Sequence, residues 1–373
     1  MARQTFPSIF STKPYDRAAL TLAHAHLSPP SLRDSITLTF HDFPLTAETV
    51  PLAQGATAVC VFVNDVLSPD VLHALHADHG VRAVLLRCAG FNNVHLATAE
   101  ALGLFVARVP AYAPEAVAEF AVALLLAVDR KTHRAYNRVR EGNFSLDGLV
   151  GRTLRGKTVG VVGTGKIGCA FARIMSLGFG CRVLAYDPFP DVEGFEKGKG
   201  NLGQPQGLLM SLGEYRPTVE EVLRESDYVS LHCPLTDETR HVINEATLGV
   251  MKPGAVLVNT SRGGLVDTRS VIAALKSKHL GGLALDVYDG EGPIFYQDHS
   301  ADIIQDDELM RLMTFPNVVV CGHQAFLTEE ALTEIAECTL RNLADFVNRV
   351  PCPNSLVREG HLLVRRESLP VRI

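Results

Sequence analysis

Residues 157–168 read K-T-V-G-V-V-G-T-G-K-I-G, an apolar run that passes through glycines at 163, 165 and 168 into a helical pattern, I167-G-C-A-F-A-R-I-M. A strand that turns into a helix through that spacing leaves few folds open, because it is the phosphate-binding turn of a dinucleotide domain. Gly163 permits the tight turn, Gly165 lets the backbone approach a pyrophosphate, and Gly168 lets helix and strand pack closely. The helix N-terminus adds its partial positive charge at the same place. Asp187 ends the next apolar run, R-V-L-A-Y at 182–186. A carboxylate there accepts bonds from an adenosine ribose and repels a 2′-phosphate, which favours NAD over NADP.

The rest of the chain keeps the same cadence. Strands are expected at 57–63, 81–87 and 103–110, with a helix over 68–77 that has Ser68 as its cap and Pro69 near its start. A long helix begins at about Pro114. A second strand series then follows at 157–162, 182–186, 228–232, 255–259, 283–287 and 318–321. Six strands at that spacing match a complete doubly wound domain. The expected fold class is α/β, with two Rossmann-like doubly wound parallel-sheet domains and a cleft between them. The helical pattern from Glu329 to Val350 is expected to fold back onto the first unit. That makes the substrate domain discontinuous, 1–113 with 325–373, around an NAD-binding domain of 114–324. The Gly-rich, polar stretch from Asp191 to Pro217 reads as an extended surface loop, and the tail after Pro351 as extended chain.

Composition narrows the partners. A formal charge of −6, with no basic run interleaved with aromatics, argues against non-specific nucleic-acid binding. The eight cysteines include no CxxC pair and lie mostly in apolar runs, which suits free thiols in a reducing compartment. The N-terminus has no apolar stretch of the signal-peptide kind, and the apolar run from Val117 to Val128 is broken by Glu119 and too short for a bilayer. A soluble, cytoplasmic protein acting on a small molecule is expected, without membrane or nucleic-acid partners. His73, His76 and His79 recur at helical spacing, but no carboxylate–histidine arrangement or cysteine partner accompanies them. A polar helix face is the better reading, and no metal is expected.

Three polar residues stand just beyond strands of the second series. Arg262 follows A-V-L-V-N-T-S, Glu291 follows L-A-L-D-V-Y-D-G, and His323 follows V-V-V-C-G. The carboxyl ends of parallel strands face the ligand crevice. A guanidinium fork there can hold a carboxylate and polarise the neighbouring ketone. An imidazole can move a proton to or from the oxygen, and a carboxylate beside it favours the charged imidazole. Cys88 and Cys233 lack a base or oxyanion arrangement and read as packing groups rather than nucleophiles.

At these residues the chain resembles the D-isomer-specific 2-hydroxyacid dehydrogenase family. The matching stretches are F10-S-T-K-P-Y-D16, L86-R-C-A-G-F-N-N-V94, V109-P-A-Y-A-P-E-A-V-A-E-F120, V161-V-G-T-G-K-I-G168, L231-H-C-P-L-T-D-E-T239, V258-N-T-S-R-G-G-L-V-D267, D286-V-Y-D-G-E-G-P293 and G322-H-Q-A-F-L-T-E-E-A-L332. They run through nearly the whole chain in the family's order. The resemblance implies Arg262 as the substrate-binding cation, His323 as the proton donor and Glu291 as its partner. It implies cofactor contacts at Lys166, Ile167, Asp187, Cys233, Pro234, Thr239, Thr260, Ser261 and Asp286, beside Gly163, Gly165 and Gly168. It further implies substrate contacts at the backbone of Cys88, Ala89 and Gly90 and at Tyr112. The reaction implied is reduction of a 2-oxo acid, pyruvate first, to the D-2-hydroxy acid by NADH. A homodimer formed through the helix near 114–135 is implied as well. Two alternatives stay open: a sister enzyme for glyoxylate, hydroxypyruvate or a bulkier oxo acid, and a nucleotide-sensing corepressor that keeps the fold.

Overall fold

The computed structural model describes residues 4–197 and 211–357. The chain divides into two compact units, one built from residues up to Ala113 and from Leu327 onward, the other spanning Pro114–Phe326.

The first unit holds a parallel sheet of β1 (Pro7–Ile9), β2 (Thr39–Phe40), β3 (Ala58–Val61), β4 (Ala83–Leu86) and β5 (Phe105–Arg108), in the order β2-β1-β3-β4-β5. Strands β3 and β4 are buried along their whole length, as expected of central parallel strands covered by helices, and the edge strand β5 is buried as well. Ser68 caps the helix Pro69–His73 by accepting from the Val71 amide. That helix then widens into a π-turn at Ala74–Asp78, so His73, His76 and His79 do not share one regular helical face. Among the described residues no group of three His, Cys, Asp or Glu could hold a metal ion. The helix Glu329–Asn348, capped by Thr328, returns to this unit and packs Ala336, Leu340 and Leu343 on Ile9, Cys60 and Leu85. The stretch after it is not free chain. Ser355 bridges Ala107, and Leu356 N–H donates to Val106 O at 2.8 Å.

The second unit is a seven-stranded parallel sheet of β6 (Thr158–Val162), β7 (Arg182–Tyr186), β8 (Glu214–Tyr215), β9 (Tyr228–Leu231), β10 (Ala255–Asn259), β11 (Leu280–Leu285) and β12 (Val318–Val320). Its order is β12-β11-β10-β9-β6-β7-β8. Connections run one way from β6 through β7 to β8, then the other way from β9 to β12. The topological switch point therefore falls between β6 and β9, the usual place for a ligand in such sheets. One apolar core lies under the helices Pro114–Arg130 and Lys166–Arg173, around Leu125, Phe171 and Met175. A second core on the opposite face gathers Leu223, Ile243, Leu248, Ile272 and Leu309.

The reading of 191–217 as one extended loop needs correction. Asp191 caps a π-turn over Val192–Glu196, and Glu214–Tyr215 adds a seventh strand at the sheet edge. Two residues are too few to show a strand period, so the sequence pattern missed it. Residues 198–210 lie outside the described residues, as does the tail from 358. No helix among the described residues is long and apolar enough to cross a membrane.

Candidate active site

The glycine turn follows β6, and each constrained glycine has a visible reason. Gly163 sits at φ +96°, a conformation that L side chains rarely adopt, and a Cβ there would meet His232 O at 2.6 Å. A Cβ on Gly168 would stand 2.0 Å from Gly163 O, so the helix lies on the turn only because the side chain is missing. Gly165 is the N-cap of the helix Lys166–Arg173 and offers no side-chain oxygen to its first amides. Amides left uncapped behind a glycine turn suit the pyrophosphate of a dinucleotide. Lys166 is exposed at the first turn and Ile167 half-buried. Asp187, at the tip of β7, accepts from Thr164 N at 2.7 Å and Thr164 Oγ1 at 3.0 Å through Oδ2. Its Oδ1 accepts from Phe189 N at 2.9 Å and keeps lone-pair capacity for a hydroxyl. The residues present fit the group.

Across the switch point, β9 runs into His232 and Cys233. Both are buried. Burial pulls His232 down to about 3, leaving it a neutral packing group. It pushes the Cys233 thiol up to about 12, far from a nucleophile. Ser261 Oγ donates to Cys233 O at 2.6 Å and ties this loop to the end of β10. Thr260 is buried beside it, and its Oγ1 has no hydrogen-bond partner among the described residues. Thr239 closes the turn after Pro234 by donating to Pro234 O at 2.7 Å.

Arg262 owes its place to a residue that sequence reasoning did not single out. Asn259 is fully buried at the end of β10, donates Nδ2–H to Arg262 O at 2.8 Å, and accepts from Ser261 N at 3.0 Å. The Arg262 guanidinium is half-buried and donates to Ser261 O at 2.7 Å. No carboxylate pairs with it among the described residues. The two glycines after it carry the next link. A Cβ on Gly263 would stand 2.0 Å from the Tyr288 carbonyl carbon, and one on Gly264 2.9 Å from Asp289 Oδ1. The Arg262 loop can lie against the loop bearing Glu291 only because these side chains are absent.

That second loop follows β11. Glu291 Oε2 accepts from Tyr288 N at 2.8 Å, and Oε1 lies 2.7 Å from His323 Nδ1. A carboxylate only accepts, so Nδ1 carries the proton and Nε2 is left for a substrate. His323 itself has φ +55°, unusual for a residue with a side chain and costing about 1–2 kcal/mol. Its backbone is held on both sides: its N–H donates to Asp286 O at 2.7 Å, and its carbonyl accepts from Tyr296 Oη at 3.0 Å. The Tyr296 and His323 rings lie 6.0 Å apart. Asp286 is fully enclosed and accepts from Gln324 N at 2.9 Å and Ala325 N at 2.8 Å. Burial pushes its carboxyl up, and those two amides pull against the shift. In its observed contacts Asp286 clamps the turn that bears His323. Tyr296 and Asp286 thus join Asn259 as supports that no local pattern announced.

In the first unit, Cys88 and Ala89 are buried and Gly90 and Tyr112 half-buried. Arg108 is buried, donates to Ala89 O at 2.6 Å and lies over the Phe91 ring at 5.0 Å, fixing the loop after β4.

A glycine turn for a dinucleotide and a carboxylate-bound histidine beyond strand ends define an oxidoreductase of the nicotinamide class. Residues 122–325 match the family model described as "D-isomer specific 2-hydroxyacid dehydrogenase, NAD binding domain". The chain belongs to that family, and its second unit carries the family's NAD-binding domain. It is 61% identical over 368 residues to 2-hydroxyacid dehydrogenase A of Aspergillus oryzae, covering 98% of this chain and 99% of that one. It is 59% identical to D-lactate dehydrogenase kk1H of Curvularia clavata, over 96% of this chain and 97% of that one. Among solved structures, the apo-structure of D-lactate dehydrogenase from Escherichia coli superposes with a TM-score of 0.81 at 46% identity. That match covers 95% of this chain and 100% of the other.

Proposed function

We propose that this dehydrogenase uses NADH to reduce pyruvate to D-lactate. The observation that carries the reading is the His323 Nδ1–Glu291 Oε1 contact of 2.7 Å, on a histidine whose backbone is fixed on both sides. Bound NADH supplies the hydride to the carbonyl carbon. Arg262 holds the substrate carboxylate through its fork and draws electron density from the adjacent ketone. His323 delivers a proton from Nε2 to the ketone oxygen, and in oxidation takes it back. Glu291 keeps the ring oriented and stabilises its charged form. Asp187 accepts the adenosine ribose hydroxyls and turns away a 2′-phosphate. Lys166, Ile167, Cys233, Pro234, Thr239, Thr260, Ser261 and Asp286 line the cofactor in this proposal, and the Cys88–Gly90 loop and Tyr112 of the first unit serve the substrate.

The lactate assignment rests on the names carried by relatives such as the Curvularia clavata protein. A homodimer is part of the proposal. Exposed apolar side chains at Tyr136, Val139, Phe144, Leu146 and Val150 follow the helix Pro114–Arg130 and supply the kind of surface a second copy would cover. A cytoplasmic location without nucleic-acid partners fits the free cysteines and the charge of −6. The test is the initial rate of NADH oxidation with pyruvate, glyoxylate, hydroxypyruvate, 2-oxobutyrate and phenylpyruvate, with the product resolved on a chiral column. Preference for pyruvate with D-lactate formed supports the reading. A larger or smaller preferred acid overturns the substrate, and an L-product overturns the stereochemistry. Tight NADH binding without turnover on any acid overturns the enzymatic reading in favour of a sensing role.

A further inference from the structure

Tyr215 stands on β8, at the end of the stretch whose sequence reads as an extended surface loop, yet its hydroxyl reaches the end of β7 where Asp187 sits. It lies 2.7 Å from Thr164 Oγ1 and accepts from Asp191 N at 3.2 Å. Thr164 Oγ1 in turn lies 3.0 Å from Asp187 Oδ2, which also accepts from Thr164 N at 2.7 Å. The direction of these bonds follows from donor chemistry. The Asp187 carboxylate only accepts, so the Thr164 hydroxyl proton points to it. The Thr164 oxygen is then an acceptor toward Tyr215, and Tyr215 must donate. The Asp191 amide completes the series by donating to the Tyr215 oxygen. Each hydroxyl accepts one bond and donates one, and the series runs one way from Asp191 through Tyr215 and Thr164 to Asp187.

Tyr215 is itself well held. Its N–H donates to Glu196 Oε1 at 2.6 Å and its ring packs 5.0 Å from Phe195. Burial pushes its hydroxyl up to about 12, so it keeps the donated proton through the neutral range. Thr164 is buried, which leaves its hydroxyl no water to turn to.

We propose that Tyr215 is a positioning residue for cofactor selection: through Thr164 it fixes the Asp187 carboxylate that receives the adenosine ribose. This rests on the assignment of Asp187 to the ribose. Tyr215 makes no contact with cofactor or substrate in this account. It sets the angle at which Asp187 Oδ1 offers its remaining lone pair. A loosened carboxylate binds ribose hydroxyls less well, while its charge still repels a 2′-phosphate. NADH affinity therefore falls when Tyr215 is altered, and NADPH affinity does not.

The experiment is titration of NADH and NADPH, followed by cofactor fluorescence, on the full chain and on Tyr215→Phe, Thr164→Val, the double variant and Asp187→Ser. Tyr215→Phe is expected to weaken NADH binding about fivefold, the scale of one hydrogen bond, with NADPH binding unmoved. The loss should appear in KM for NADH rather than in kcat. The double variant should bind NADH no worse than Thr164→Val alone, because both changes break one series. NADH binding equal to wild type in Tyr215→Phe, with only a lower Tm, would reduce the tyrosine to a structural part and overturn the proposal. Losses that multiply in the double variant would overturn the route through Thr164. Asp187→Ser keeps the two failures apart. An unchanged NADH-to-NADPH ratio there removes the ribose assignment itself, whereas a collapsed ratio beside an inert Tyr215→Phe removes only the relay.

Discussion

His323 and Arg262 both sit beyond strand ends of the same sheet, but they are held in opposite ways. His323 is fixed by its ring nitrogen on Glu291, its amide on Asp286 O and its carbonyl on Tyr296 Oη. Arg262 is fixed through its backbone by Asn259, while its guanidinium gives one bond to the carbonyl of its own neighbour. The contrast fits the tasks proposed for them. A proton must leave one atom in one direction, so the imidazole has to be oriented before substrate arrives. A cation that binds an anion does better with its donors uncommitted, because each bond to the protein would have to be broken first. The support is concentrated on the group proposed to move the proton.

Four changes probe that contrast, in order of expected effect. His323→Ala should lower kcat by about a thousandfold, the usual scale for a lost general acid, while NADH affinity stays within about twofold. Stopped-flow turnover and a fluorescence titration on one preparation check both halves. Gly263→Ala comes next, since its Cβ would stand 2.0 Å from the Tyr288 carbonyl carbon. Forcing backbone from backbone there should destabilise the second unit by about 3 kcal/mol and pull the Arg262 loop from the Glu291 loop. Denaturant unfolding gives the first figure and KM for pyruvate the second. Tyr296→Phe removes one bond to a backbone already at φ +55°, and should cost kcat about fivefold without altering KM for NADH. An unchanged kcat would show that Asp286 and Glu291 hold His323 without Tyr296.

The effect that is smallest at neutral pH concerns His232, whose ordinary value of 6.5 falls to about 3 on burial. Between those values the unfolded chain binds a proton that the folded chain refuses. Stability must therefore fall as pH drops from 6.5 toward 3, by up to about 1.4 kcal/mol per pH unit. His232→Leu should flatten that slope. An equal slope in the variant would assign acid sensitivity to other groups.

What the sequence made legible was whatever repeats or sits in one stretch. The turn from Gly163 to Gly168, the long buried strands and the placement of Arg262, Glu291 and His323 after strands all follow from local patterns of a few residues. The supports do not. Tyr296 meets His323 across 27 positions and Gln324 meets Asp286 across 38, and only the folded sheet brings such pairs together. Asp286 shows the same limit, since the fully enclosed carboxylate accepts from two backbone amides that lie far along the chain. Strands β2 and β8, of two residues each, carry no period to read.

The division of labour between the two residues is tested most directly in a protein that binds substrate without consuming it. Pyruvate would be titrated into the NADH complex of His323→Ala, and then into that of the Arg262→Gln/His323→Ala double variant. The account predicts that the single variant binds pyruvate near the wild-type KM and that the second change weakens binding by about thirtyfold, the scale of a charge-assisted fork. Pyruvate binding lost already in the single variant, or equal in the two, would contradict it.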